Sequence, residues 1–119
     1  MEIVQRDDSR PFATKDGSII RSILDRTNST VMHQSLAEAT LPRGAATTPH
    51  RHPRAEEIYY ILSGNGEIVI EGRSAAVGPN TGILIPPGAC HQIRNTGQVD
   101  LVFLCCCAPP YSHEDTAMG

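Results

Sequence analysis

Three histidines and a glutamate are the residues of this chain best placed by type and spacing to do chemistry: His50 and His52, then Glu57, and well downstream His91. In an extended strand side chains alternate faces, so His50 and His52 point the same way, roughly 7 Å apart along the backbone, and two imidazoles can converge on one ion. The pair alone says little. A carboxylate at the head of the next strand and a third imidazole from a distant strand complete three nitrogens and one oxygen, a donor set that suits Fe(II), Mn(II), Ni(II) or Zn(II).

The residues around these four resemble the two motifs of the cupin superfamily. Gly44, His50, His52, Glu57 and Gly64 match every position of the first, a glycine, a His-x-His pair, a glutamate and a closing glycine. Pro86, Gly88, His91 and Asn95 match the second, with Asn80 where its opening glycine is expected. Asparagine tolerates the left-handed backbone that such a turn needs. The resemblance spans residues 44–95 and implies a small all-β, double-stranded β-helix or jelly-roll barrel. It also implies one divalent metal ion held by His50, His52, Glu57 and His91, with Fe(II) or Mn(II) favoured over Ni(II) or Zn(II). About the reaction it implies less, because cupins include dioxygenases, decarboxylases, isomerases, epimerases, cyclases, storage proteins and sugar-binding regulators.

Glu56 and Glu57 are neighbours and point to opposite faces of a strand. Counting back from Gly64 in the motif selects Glu57, and parity agrees: Glu57, Tyr59 and Ile61 share one face, with Glu56, Ile58, Tyr60 and Leu62 on the other. Glu57 is therefore the ligand and a candidate general base if it detaches. Tyr59, on the ligand face, is a candidate to reach the metal with its hydroxyl. In small cupins the last long strand runs beside the one carrying the second-motif histidine, which makes Cys105 a candidate to line the pocket. Leu101, Phe103, Cys105 and Cys107 alternate onto one face and read as an inward stripe. A buried cysteine is also an ordinary small hydrophobe. His33 and His113 read as surface histidines, although parity lets His33 line the pocket or sit at a subunit contact.

The elements that must position these groups read as strands and turns. Strands are expected over residues 19–25, 31–41, 57–62, 67–71, 82–85, 91–94 and 99–107, with the first ten or so residues and the last nine as tails. Residues 63–66, Ser-Gly-Asn-Gly, read as a hairpin between two of these strands. Pro86, Pro87 and Gly88 stop one strand and aim the next so that His91 enters the barrel, and Asn95 orders the following turn. At least half of the chain should be strand, with no helix beyond about two turns.

At 119 residues the chain reads as one domain, 1–119, with its core over about residues 19–110. A net charge of −3 without a basic run offers no footprint for nucleic acid or an anionic membrane. The polar first residues lack a signal core and no stretch approaches the ~18 apolar residues of a membrane span, so a soluble cytoplasmic protein is expected. Cys105, Cys106 and Cys107 are consecutive and cannot easily bridge one another, and no Cys-x-x-Cys pair exists, so the four cysteines read as reduced thiols.

Ile61, Ile83, Ile85 and Phe103 around the histidines favour a small carbonyl or enol substrate, with Arg51 and Arg54 leaving a phosphorylated sugar open. The leading expectation is a metal-dependent enzyme of dioxygenase or oxidoreductase type. A non-redox isomerase, epimerase or lyase acting on a sugar or keto acid, and a non-catalytic binding protein, are the alternatives. Residues 19–25 carry apolar side chains on both faces, more than a solvated edge strand should, and small cupins often pair through such strands, so a homodimer is expected.

Overall fold

The computed structural model describes the whole of residues 1–119. Its strands are β1 (Phe12–Ala13), β2 (Ile19–Leu24), β3 (Ser35–Leu41), β4 (His50–Arg51), β5 (Glu56–Ser63), β6 (Gly66–Ile70), β7 (Arg73–Val77), β8 (Gly82–Ile85), β9 (His91–Asn95), β10 (Leu101–Ala108) and β11 (Ala117–Met118). They form two antiparallel sheets, one of six strands in the order β1-β2-β3-β10-β5-β8 and one of five in the order β11-β4-β9-β6-β7. The fold is the expected all-β jelly roll, and the single helical turn, Arg6–Asp8, is a 3-10 turn. Strand makes up 46% of the chain. That is a little under the expected half, because proline- and glycine-rich connections stay outside the ladders.

Alternation along the strands builds the core and the site from the same inward stripes. On β10, Leu101 and Phe103 are followed inward by Cys105 and Cys107; opposite them on β5 stand Ile61, Tyr59 and Glu57. On β3, Leu41 and Ala39 give way to Ala37 and Ser35. On β9, Ile93 gives way to His91. Leu41, Ile61, Ile85, Ile93, Leu101 and Phe103 are all but sealed from solvent and fill the space between the sheets at one end of these stripes. Truncating any one of them to alanine should cost about 2–5 kcal/mol. The polar ends of the stripes converge beyond them.

Three expectations need correction. Residues 63–66 do not form a hairpin: β5 pairs with β10 and β8 while β6 pairs with β7 and β9, so this turn carries the chain from one sheet to the other. Its glycines serve close approach, since a Cβ on Gly64 would lie 2.5 Å from the Asp100 carbonyl oxygen and one on Gly66 2.7 Å from that of Arg94. The third strand starts at Ser35 rather than at 31, because the Thr30 N–H is taken by the Glu2 carboxylate instead of a ladder partner. His33 consequently lies in an exposed turn outside the pocket. The ends of the chain are not loose tails: in the first ten residues Arg6 pairs with Glu38 and the Ser9 hydroxyl donates to the Ser22 carbonyl, and in the last nine β11 pairs with β4.

The second-motif residues behave as their chemistry requires. Asn80 has φ 64°, the left-handed value that the motif's glycine would take. Buried Asn95 donates to the carbonyls of Leu41 and Val99 and accepts from the Gly97 N–H, which orders the turn into β10.

Candidate metal centre

His50 and His91 face each other directly across the β4–β9 pair. His52 follows one residue beyond β4, and the Gly88 N–H donates to its backbone carbonyl at 2.8 Å, tying the proline-glycine turn to this corner. All three imidazoles are buried, and each offers a ring nitrogen within 4.8 Å of the others. Three buried histidines so grouped can hold a metal ion.

The Nδ1 atom of every one of these rings lies against a backbone carbonyl, Thr48 for His50 at 2.8 Å, Asp115 for His52 at 3.2 Å and Ala89 for His91 at 2.9 Å. A carbonyl only accepts, so Nδ1 carries the proton of each neutral ring, and in that form Nε2 is left as the lone-pair donor. Asp115 is itself clamped, its carboxylate receiving the N–H groups of Arg54 and Ala55.

Glu57 enters from the other sheet. Its Oε1 lies 3.3 Å from His52 Nε2 and 3.4 Å from His91 Nε2, and its Oε2 accepts the Cys107 thiol at 3.1 Å. Glu56 is exposed on the opposite face, as parity requires. Burial pushes the Glu57 carboxyl up, but the contacts with His52 and His91 and the Cys107 donor outweigh it and hold it at about 2. His52 is raised because Glu57 outweighs its burial, and His50 is lowered by burial and by His91. Two buried polar atoms have no hydrogen-bond partner at all, Glu57 Oε1 and His91 Nε2.

Tyr59 and Cys105 both line the cavity in front of these groups. Tyr59 packs its ring 4.7 Å from that of Phe103 and 6.1 Å from that of His91. Burial, then the Glu57 charge, raises both Tyr59 and Cys105 well above their ordinary ranges, and the same causes raise Cys107. The hydroxyl and both thiols therefore stay protonated at neutral pH. Of the expected apolar surroundings only Phe103 reaches the cavity, with Ile61, Ile83 and Ile85 in the core behind it. No lysine or arginine lines the cavity: Arg51 reaches out to the Gly119 carbonyl and Arg54 is exposed.

Sequence reasoning missed three contributors. Parity puts Cys107 on the inward stripe, but its bond to Glu57 depends on the register of β10 against β5. Tyr111 stands with its ring 6.1 Å from that of His52, in a segment read as a tail. Asp16 comes from the turn between β1 and β2 and places Oδ2 3.2 Å from His50 Nε2; its only local signal was an Asp-Gly-Ser turn.

Residues 37–107 match the family described as the cupin domain, and the chain belongs to it. An uncharacterized protein of Methanocaldococcus jannaschii is 48% identical over 110 residues, covering 92% of this chain and 88% of that protein. Among solved structures, a predicted oxalate decarboxylase from Thermotoga maritima superposes with a TM-score of 0.79 at 25% identity, over 90% of this chain and 98% of that one. The polyketide cyclase RemF from Streptomyces resistomycificus superposes with a TM-score of 0.78 at 26% identity, over 97% and 89% of the two chains. No helix is long and apolar enough to cross a membrane.

Proposed function

We propose that the chain is a metal-dependent enzyme that binds one divalent ion through Nε2 of His50, His52 and His91 together with Glu57, and acts on a small carbonyl or enol compound. The observation that carries this reading is the pair of sealed atoms without a partner, Glu57 Oε1 and His91 Nε2. Two groups that can only accept, 3.4 Å apart and buried, repel each other unless a cation or proton lies between them. The remaining polar atoms of the four side chains are already occupied in the way ligands are oriented, by carbonyls on each Nδ1 and the Cys107 thiol on Oε2. Fe(II) or Mn(II) suits this nitrogen and oxygen set, as do Ni(II) and Zn(II). Bound there, the ion would polarise a substrate oxygen and, if redox-active, admit oxidative chemistry as well.

The chain's own groups prepare that site. Glu57 aims Oε1 at His52 and His91 while the Cys107 thiol holds Oε2, so it is the negative donor of the set and, if it detaches, the candidate general base. Tyr59 makes no hydrogen bond within the protein and lines the cavity, so its hydroxyl is available to donate to a substrate oxygen. Cys105, kept protonated, is a soft wall rather than a nucleophile. A cavity lined by Asp16, Asp25 and Glu57 without any lysine or arginine disfavours a phosphorylated sugar.

Dioxygenase-type oxidation and a non-redox reaction share this binding step. The likeness to structures named as a predicted decarboxylase and a cyclase supports the non-redox branch. Metal analysis of untagged protein tests the common step, and a chain without stoichiometric divalent metal would overturn it. Assays on diketones, catechols and keto acids with oxygen uptake recorded then separate the branches: substrate-dependent oxygen consumption marks the oxidative one, and turnover under argon the other.

The partner we infer is a second copy of the chain. Ile58, Tyr60 and Leu62 on β5 are 45%, 40% and 42% exposed, with Leu84 of β8 beside them at 57%. Such an outward apolar patch calls for cover. Light scattering should give a mass near twice 12.9 kDa, and a Leu62→Asp, Leu84→Asp variant should fall to a monomer.

A further inference from the structure

Asp16 is a carboxylate that the proposed ligand set does not use. Its Oδ1 is saturated, receiving the Ser18 N–H at 2.9 Å, the Ser18 hydroxyl at 2.6 Å and the Thr14 hydroxyl. Its Oδ2 has a single neighbour, His50 Nε2 at 3.2 Å. That nitrogen is the lone-pair end of the ring, because Nδ1 donates to Thr48. Two lone-pair atoms at this distance repeat, on the far side of the cluster, the contacts of Glu57 with His52 and His91 at 3.3 and 3.4 Å. All three separations are close to the roughly 3 Å between adjacent donors at right angles around an ion with bonds of about 2.0–2.2 Å.

The backbone places this oxygen deliberately. The Asp16 carbonyl accepts the Thr48 N–H at 2.6 Å, and Thr48 in turn accepts from His50, so Asp16 grips the His50 unit at both ends. The turn that carries it belongs to the β1–β2 hairpin of the six-stranded sheet, yet it reaches across to β4 of the other. Gly17, at φ 93°, permits the reversal, and Lys15 ties the turn to the His113 carbonyl at 3.0 Å.

We propose that Asp16 Oδ2 is a second carboxylate donor to the ion, so that a bound ion ties the turn between β1 and β2 to the His50 end of the site. The inference rests on the metal-binding reading above and goes beyond it, since the cupin motifs contain no residue at this position.

Titration of the metal-free, full-length chain with Co(II), followed by calorimetry and by visible absorption, tests it. Asp16→Asn should weaken binding at least about tenfold and change the absorption spectrum, because a donor is lost. Ser18→Ala removes one donor to Oδ1, leaves Oδ2 in place, and should bind within about threefold of the unsubstituted chain with the same spectrum. Co(II) should also slow amide exchange over residues 14–18 in the unsubstituted chain and not in Asp16→Asn. An Asp16→Asn spectrum identical to that of the unsubstituted chain, or exchange over residues 14–18 indifferent to Co(II), overturns this inference while leaving the four-residue centre intact. Failure of the unsubstituted chain to bind Co(II) overturns both.

Discussion

The two sheets contribute opposite chemistry by opposite means. The six-stranded sheet supplies Glu57, Tyr59, Cys105 and Cys107 from β5 and β10, strands of eight residues each whose pairing is unbroken from Phe103 to Ala108. The five-stranded sheet supplies the imidazoles from β4, only two residues long, from the residue after it, and from the first position of β9. On the first side a long ladder fixes where each acidic or thiol group lies. On the second the ladder is too short to do so, and backbone carbonyls on Nδ1 take over. The imidazoles and the carboxylate thus meet at a seam between two sheets rather than within one.

Removing a nitrogen should break the seam most severely. His52→Ala or His91→Ala should lower metal affinity about 100-fold or more, measured by chelator competition, while far-ultraviolet circular dichroism stays that of a β protein. The carboxylate side should give less: Glu57→Gln is expected to cost about 10- to 100-fold and Glu56→Gln nothing measurable, so equal losses would refute the parity argument. Cys107→Ala, which removes only the donor that orients Oε2, should cost less than Glu57→Gln.

Acid and alkali separate the two sides more gently. His52 is raised above 6.5, so protons compete for its nitrogen already above that pH, and metal affinity should fall steadily as pH drops from 8 through 6.5. On the other side, Tyr59, Cys105 and Cys107 all have raised values in the folded chain. A raised group favours folding fully below its unfolded value and loses that contribution above it. The thermal midpoint of the metal-free chain should therefore decline as pH rises past the ordinary thiol value of 9.0, and the Cys107→Ala variant should decline less. A midpoint flat to pH 10.5 would show that the thiols are wetter than the structure places them.

The seam was legible in the sequence on its histidine side and half legible on the other. His50, His52, His91 and the choice of Glu57 over Glu56 follow from spacing and from the two-residue period of a strand, a rule that holds however the strands are arranged. What escaped depended on arrangement. Gly64 and Gly66 announce a tight turn, but the same residues serve a hairpin and a crossing between sheets, and only the contacts with Asp100 and Arg94 decide which. Asp16 and Tyr111 lie in connections outside the strands, where periodicity carries no signal, and long-range pairing alone brings them to the histidines.

The carbonyls behind the three imidazoles have a consequence for how this protein can change. A side-chain orienter is lost to one base substitution; the Thr48, Ala89 and Asp115 carbonyls survive any replacement of their own side chains that keeps the path of the chain. Ring orientation is thereby uncoupled from the identity of its neighbours. Drift or selection can rewrite Tyr59, Cys105 and the rest of the cavity wall, exchanging one substrate for another, while the three nitrogens keep their aim.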